Sequence, residues 1–149
     1  MSSAAEPGND REILTELVLR TFRLNGLFLH QAEELAKPAG LTAAWWQVLG
    51  AVLPEPLPVA GIARDMGLAR QSVQRTADLL AENGLTEYLP NPAHARARLV
   101  APTAKGWSAI EELREGTVAW ARTITDAVGE DDLRRTVAVM DRLIDSMSG

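Results

Sequence analysis

Between Arg11 and Ala36 the chain carries two apolar stripes side by side, more than one face of a single small core can cover. Leu14, Leu17, Leu24, Phe28 and Leu35 recur at heptad-like spacing, and Val18, Phe22, Leu29, Ala32 and Ala36 run beside them. Only Glu12, Glu16, Arg20, Arg23 and Glu34 mark a narrow polar edge. A helix apolar over most of its circumference needs cover on two sides. The far end of the chain raises the same demand: Trp107, Ile110, Thr117, Trp120 or Ala121, Ile124 and Val128 recur every three or four residues, as do Leu133, Val137, Met140, Ile144 and Met147. The pattern predicts a homodimer in which the terminal helices of two subunits interleave. A self-contained helical core is the alternative.

Breakers divide the rest. Residues 1–10 read as a polar, flexible leader. The first helix, 11–36, stops before Lys37-Pro38-Ala39-Gly40, because proline disfavours a helical residue ahead of it. Thr42 is placed to cap a second helix, which must end by Leu53 because Pro54, Pro56 and Pro58 follow at alternate positions. A short helix from Pro58 to Met66, a turn at Gly67 and a helix from Ala69 to Asn83 come next, with Gly84 as a left-handed stop. Leu85–Leu89 and Arg98–Ala101 read as strands around a proline-punctuated loop. Thr103 then caps a helix to Val128, and Glu130-Asp131-Asp132 places acids at the start of a last helix ending near Met147. The expected fold is mainly α, a single domain over 1–149, with dimerisation helices at 11–36 and 103–147 around a lobe at 42–101.

Composition removes several functions. The chain has no cysteine, so disulfides, thiol catalysis, thiol redox sensing and cysteine-ligated metals are excluded. No apolar run reaches the ~18 residues that suggest a membrane span, and the start is polar, so a cytoplasmic protein without a membrane partner is expected. A net charge of -5 argues against nucleic acid until it is divided by position. Residues 57–106 hold six basic side chains (Arg64, Arg70, Arg75, Arg96, Arg98, Lys105) against four acids (Asp65, Asp78, Glu82, Glu87). That segment is basic by two, and the remainder is acidic by seven. A locally basic segment on an acidic body suits a protein that meets phosphate, although a merely solvated surface has the same charges.

Ala63, Gly67 and Val73 stand at the spacing Ala-x3-Gly-x5-Val. A small residue lets two helices cross closely, glycine permits a tight turn, and a β-branched residue fills the wedge between them. With Val59, Ile62, Met66, Leu68, Ala77 and Leu80 turned inward, Arg70, Gln71, Gln74, Arg75 and Asp78 are left on the outer face of the second helix. Arginine and glutamine make bidentate contacts with guanine and adenine edges, and Ser72 can reach phosphate. A chance helical hairpin is the plainer alternative. The loop Pro90-Asn91-Pro92-Ala93-His94-Ala95-Arg96 has no acid, and Arg96 and Arg98 flank its descending arm. An arginine on a hairpin tip beside a major-groove helix can enter the adjacent minor groove.

The stretches Leu68–Arg75, Leu79–Leu85, Asn91–Arg96 and Thr103–Gly106, with Leu41-Thr42, Trp46, Val48 and Leu49 before them, resemble the winged helix-turn-helix of the MarR family of bacterial transcription regulators. The resemblance is specific over Leu41 to Gly106 and agrees beyond it in helix order and length. It implies a homodimer joined by terminal helices, a recognition helix at 69–83, a wing at 85–101, and a pseudo-palindromic double-stranded DNA operator. It also implies that Arg96 is the wing arginine of the minor groove. The chain departs from the family pattern at Asn91 and His94, where aspartates are usual and the second commonly braces that arginine. It departs again at Tyr88, where arginine is usual, at Pro102, where leucine is usual, and at Ala69, which cannot cap its helix as serine or threonine does.

Regulators of this family often bind small, frequently aromatic acids in a cleft between dimerisation helices and DNA-binding lobe. Here the resemblance points to a small aromatic or anionic effector. Adjacent Trp45 and Trp46 diverge by about 100° on a helix, so one is expected to pack inside and the other to face a pocket or partner subunit. Phe28 and His30 join them as candidate ligand contacts, with core or dimer packing as the alternative for each tryptophan. His30 with Glu33 or Glu34 makes a weak zinc signature, so no metal and no cofactor are expected. A winged-helix protein-interaction or ligand-sequestering module is the second reading. An enzyme is the third, because neither histidine has a nucleophile or paired acid at recognisable spacing and no Gly-rich phosphate loop is present.

Overall fold

The computed structural model describes residues 8–149, and residues 1–7 of the expected leader lie outside the described residues. Helix α1 spans Asn9–Ala36 and therefore begins two residues earlier than its periodicity indicates. Asp10 and Glu12 lie in its first turn, where carboxylates meet the positive end of the helix dipole. A 3-10 turn at Lys37–Ala39 and left-handed Gly40 then reverse the chain. Helix α2 (Ala43–Ala51) is capped twice. Thr42 accepts a hydrogen bond from the Trp45 amide at 3.1 Å, and Glu33 of α1 accepts one from the Ala43 amide at 2.7 Å.

The triple-proline segment contains a strand that alternate prolines had hidden. Leu57–Pro58 forms β1 at the sheet edge, where the missing proline N–H is tolerated. Helices α3 (Val59–Met66) and α4 (Arg70–Glu82) meet through Gly67, whose φ of 65° gives the left-handed turn, and the Leu68 amide returns to the Ala63 carbonyl at 2.9 Å. Strands β2 (Thr86–Leu89) and β3 (Leu99–Pro102) pair antiparallel, Tyr88 opposite Val100 and Leu89 opposite Leu99. The sheet order is β1-β3-β2. Ile62, Ala63, Val73, Ala77, Leu80, Leu85 and Val100 close one core with Val48, Leu49 and Val52 of the α2 region.

The long helix expected after Thr103 is two helices. α5 (Ala104–Glu112) and α6 (Arg114–Val128) meet at Leu113, whose amide bonds the Ile110 carbonyl three residues back and tightens the turn there. Leu113 is buried in the core, so the bend pins the helix to the lobe before α6 leaves it. α7 (Glu130–Met147) follows Gly129. No residue of α6 or α7 is buried, and Ala36 alone is buried on α1. Phe22 is 69% exposed, Val137 58% and Ile144 57%: within one chain, the terminal helices leave their apolar stripes uncovered. Among the described residues, no helix is long and apolar enough to cross a membrane.

Candidate nucleic-acid interface

Helix α4 turns Val73, Ala77 and Leu80 into the core, and the 3.6-residue period then leaves Arg70, Gln71, Ser72, Gln74, Arg75 and Asp78 in solvent. Its first turn has no side-chain cap, since Ala69 offers none. Strand β2 runs back beside α4, and the hairpin carries its two arginines to the same side. Arg70, Gln71, Gln74, Arg96 and Arg98 all line one open cleft of about 360 Å³ between α4 and the wing, with Tyr88 in its wall. Ser72 and Arg75 are exposed on α4 outside that lining. The cleft thus gathers three guanidinium groups and two amides from segments some 25 residues apart in the chain.

The cleft wall is cross-linked by a network centred on Tyr88. The Tyr88 hydroxyl donates to Asp78 Oδ1, and Gln74 Nε2 donates to both Asp78 Oδ1 and Tyr88 Oη at 3.0 Å. The Arg98 guanidinium carbon lies 4.3 Å from the Tyr88 ring centroid, a cation–π contact between wing and strand. Partial burial, then the hydrogen bond and negative charge of Asp78, push the Tyr88 hydroxyl up to about 12. It is therefore a protonated donor throughout the neutral range. Sequence reasoning named Tyr88 only as a departure from a pattern; the chain's single tyrosine, on a strand folding back along a helix with Gln74 and Asp78 one turn apart, was the available signal.

The wing tip is braced from within. Asn91 Oδ1 accepts from the Ala93 amide at 3.0 Å, and Asn91 Nδ2 donates to the Ala97 carbonyl at 2.8 Å, spanning the loop. Among the described residues Arg96 forms no ion pair, and the loop that carries it is closed by the Asn91 amide. Asn91→Ala is expected to speed amide exchange at Ala93, whose N–H loses its acceptor, while β2–β3 amides keep their protection. Unchanged exchange at Ala93 would show the tip is held otherwise.

A second cavity, of about 300 Å³, lies where α1, α2 and α6 converge. Phe28 and Trp46 line it with Leu35, Met66 and Trp120, and the Phe28 and Trp120 rings meet edge to face at 6.0 Å. The other two candidates lie elsewhere: Trp45 is half-buried against the core, and His30 is exposed and outside the lining. Trp120, ambiguous with Ala121 by periodicity, is the residue of the two that lines the cavity. Glu33 is occupied with the α2 amide and Glu34 with Lys37 at 3.0 Å. No cluster of three metal-ligating groups occurs among the described residues.

A sequence model of the MarR family matches residues 39–97, the span that holds the helix-turn-helix and most of the wing. The chain belongs to the MarR family. Uncharacterized protein Mb2034c of Mycobacterium bovis is 34% identical over 131 residues, covering 88% of this chain and 92% of that one. Two solved structures share the fold at lower identity. CouR from Rhodococcus jostii RHA1, bound to p-coumaroyl-CoA, is 20% identical with a TM-score of 0.72 over 95% of each chain. Wild-type MarR from E. coli in its apo form is 20% identical with a TM-score of 0.70 over 86% of this chain and 96% of that one. The MarR-family winged helix explains the small three-stranded sheet, and regulators of this family are non-enzymatic DNA-binding proteins.

Proposed function

We propose that this chain is a dimeric, sequence-specific DNA-binding transcription regulator whose affinity for DNA responds to a small ligand. One observation carries the reading: α4 and the wing, far apart in sequence, present Arg70, Gln71, Gln74, Arg96 and Arg98 around a single cleft. In this reading α4 enters a major groove, with Arg70, Gln71, Gln74 and Arg75 toward base edges and Ser72 toward phosphate. The wing lays Arg96 in the neighbouring minor groove, with Arg98 beside it. The DNA-binding lobe is 42–101, and the helices on either side of it join two subunits. The uncovered apolar stripes of α1, α6 and α7 support that dimer, which would set two α4 helices about one turn of DNA apart on a pseudo-palindrome.

The cavity between α1, α2 and α6 is the proposed effector site. Its lining holds Phe28, Trp46 and Trp120, and its polar side chains are the uncharged Gln31 and Gln47. Such a wall favours the aromatic part of a ligand, with any anionic end toward solvent. CouR's aromatic thioester is a precedent for that chemistry in a related fold.

Binding to the DNA flanking the protein's own gene, measured across a salt series, tests the reading. Affinity should fall steeply as salt rises; binding that is undetectable or indifferent to salt would sink it. Arg96→Ala should weaken binding chiefly where the flanks are A·T-rich. Gln71→Ala or Arg75→Ala should remove about 1–3 kcal/mol of discrimination at one base position. Parent-like binding by all three variants would refute the contact scheme.

A further inference from the structure

Neighbouring major and minor grooves of a duplex are separated by one sugar-phosphate strand. With α4 in the first groove and the wing tip in the second, that strand must cross the cleft between them. Arg70, Arg96 and Arg98 line this cleft, and among the described residues Arg98 is the one laid on an aromatic ring, its guanidinium carbon 4.3 Å from the Tyr88 centroid. The ring is fixed at both ends. Its strand sets Tyr88 opposite Val100, and its hydroxyl donates to Asp78 of α4. Gln74 shares an N–H between Asp78 Oδ1 and Tyr88 Oη, each at 3.0 Å.

A carboxylate holds an arginine by neutralising it and filling its fork of N–H groups. An aromatic face attracts the cation and leaves those N–H groups free to donate. Arg98 forms no ion pair among the described residues, so its charge stays available in the cleft. An arginine already resting on a fixed surface also loses less rotamer freedom on gripping a ligand than one in open solvent.

We propose that Tyr88 is a positioning residue that holds Arg98 against the DNA backbone, which makes the cleft between α4 and the wing a seat for phosphate. The proposal rests on the DNA-binding reading above and divides the wing's two arginines. Arg96 reaches from the hairpin into the minor groove, whereas Arg98, beside β3 at the wing's base, grips the strand between the grooves. Phosphate contacts carry no sequence information directly, so Arg98 contributes affinity and register and leaves base preference to α4.

Binding of the full chain to the duplex flanking its own gene, and to a scrambled duplex of equal length, is measured across a salt series. Arg98→Ala should weaken both by a similar factor and make the fall of log affinity with log salt shallower by about 0.9 per subunit. Tyr88→Leu should weaken binding about two- to fivefold per half-site, and Tyr88→Phe, which keeps the ring, should restore most of that loss. In the Arg98→Ala background, Tyr88→Leu should cost nothing further. Equal losses from Tyr88→Leu with and without Arg98 would overturn the proposal, as would parental binding by Tyr88→Leu. An unchanged salt slope in Arg98→Ala, or a loss confined to the flanking duplex, would overturn the phosphate assignment. Should Tyr88→Leu fold poorly, the parent decides by NMR: the ring current should hold the Arg98 Nε proton upfield in free and DNA-bound protein alike. Return of that resonance to its ordinary position on binding would show that the ring does not aim the contact. A parent that binds neither duplex removes the DNA-binding reading itself, whereas parental binding with any overturning result removes this proposal alone.

Discussion

Phe22→Glu combined with Val18→Glu is expected to yield a folded monomer that binds operator DNA at least about 100-fold more weakly than the parent. Both side chains are solvent-exposed in the single chain, Phe22 at 69% and Val18 at 42%, so the charges disturb no core within the subunit. Across a dimer interface the same charges would be buried without partners, a cost of several kcal/mol each. The affinity loss follows because one subunit then binds one half-site, and the effective concentration supplied by the joined second half disappears. Light scattering across a concentration series gives the mass, and circular dichroism checks the helices. A variant that keeps the dimeric mass would move the interface away from α1. A monomer that binds DNA as the parent does would show that pairing of recognition helices is not required.

Gly106→Ala is expected to destabilise the lobe by about 2–4 kcal/mol. A Cβ at this buried position of α5 would approach the Leu85 carbonyl oxygen more closely than 3.0 Å, and Leu49 Cδ1 at 3.3 Å. The first obstacle is backbone and cannot rotate away. It is also engaged, since the Leu85 carbonyl accepts from the Thr103 amide at 3.1 Å, and the Gly106 amide caps onto Thr103 Oγ1 at 3.1 Å. Pushing α5 outward would therefore strain the junction where the wing's last strand enters the helix. Gly116→Ala is the control of opposite sign. Its Cβ meets only Leu35 Cδ2, at 3.4 Å, and removing a helical glycine should gain about 0.5–1 kcal/mol. Denaturant midpoints for both variants decide: equal midpoints would mean that the close approach of α5 to Leu85 relaxes without cost.

Most of the fold is visible in one dimension because its signals are local. Glycines with positive φ at 40, 67 and 84 mark the turns, and Thr42 and Thr103 cap the helices they precede. The Ala63, Gly67 and Val73 spacing of the helix-turn-helix follows from steric demands that act over ten residues. Two elements escaped for the opposite reason. Strand β1 exists only because Leu57 and Pro58 find Val100 and Leu99 across the sheet, a pairing no local pattern encodes. The bend at Leu113 comes from its burial in the lobe while the residues after it turn outward, although helical periodicity runs through both.

The candidate site divides along the same line. Residue types on one helical face are set by period, so the exposed row Arg70, Gln71, Gln74, Arg75 could be read from sequence, as could the arginines of the wing. What each side chain is free to do could not. Gln74 and Gln71 look equivalent in a string, and only the return of β2 places Tyr88 against one of them and not the other. Asn91 looks like a lost carboxylate, and only the closed loop shows an amide bonding across to Ala97. By itself the sequence determined the order of helices, the helix-turn-helix, the basic segment and the surplus of apolar helix surface, because each depends on neighbours within a few turns. Tertiary structure decided which polar groups were already spent on one another and where the aromatic cavity closed, because hydrogen bonds and ring contacts form between atoms that the chain separates and only folding brings within reach.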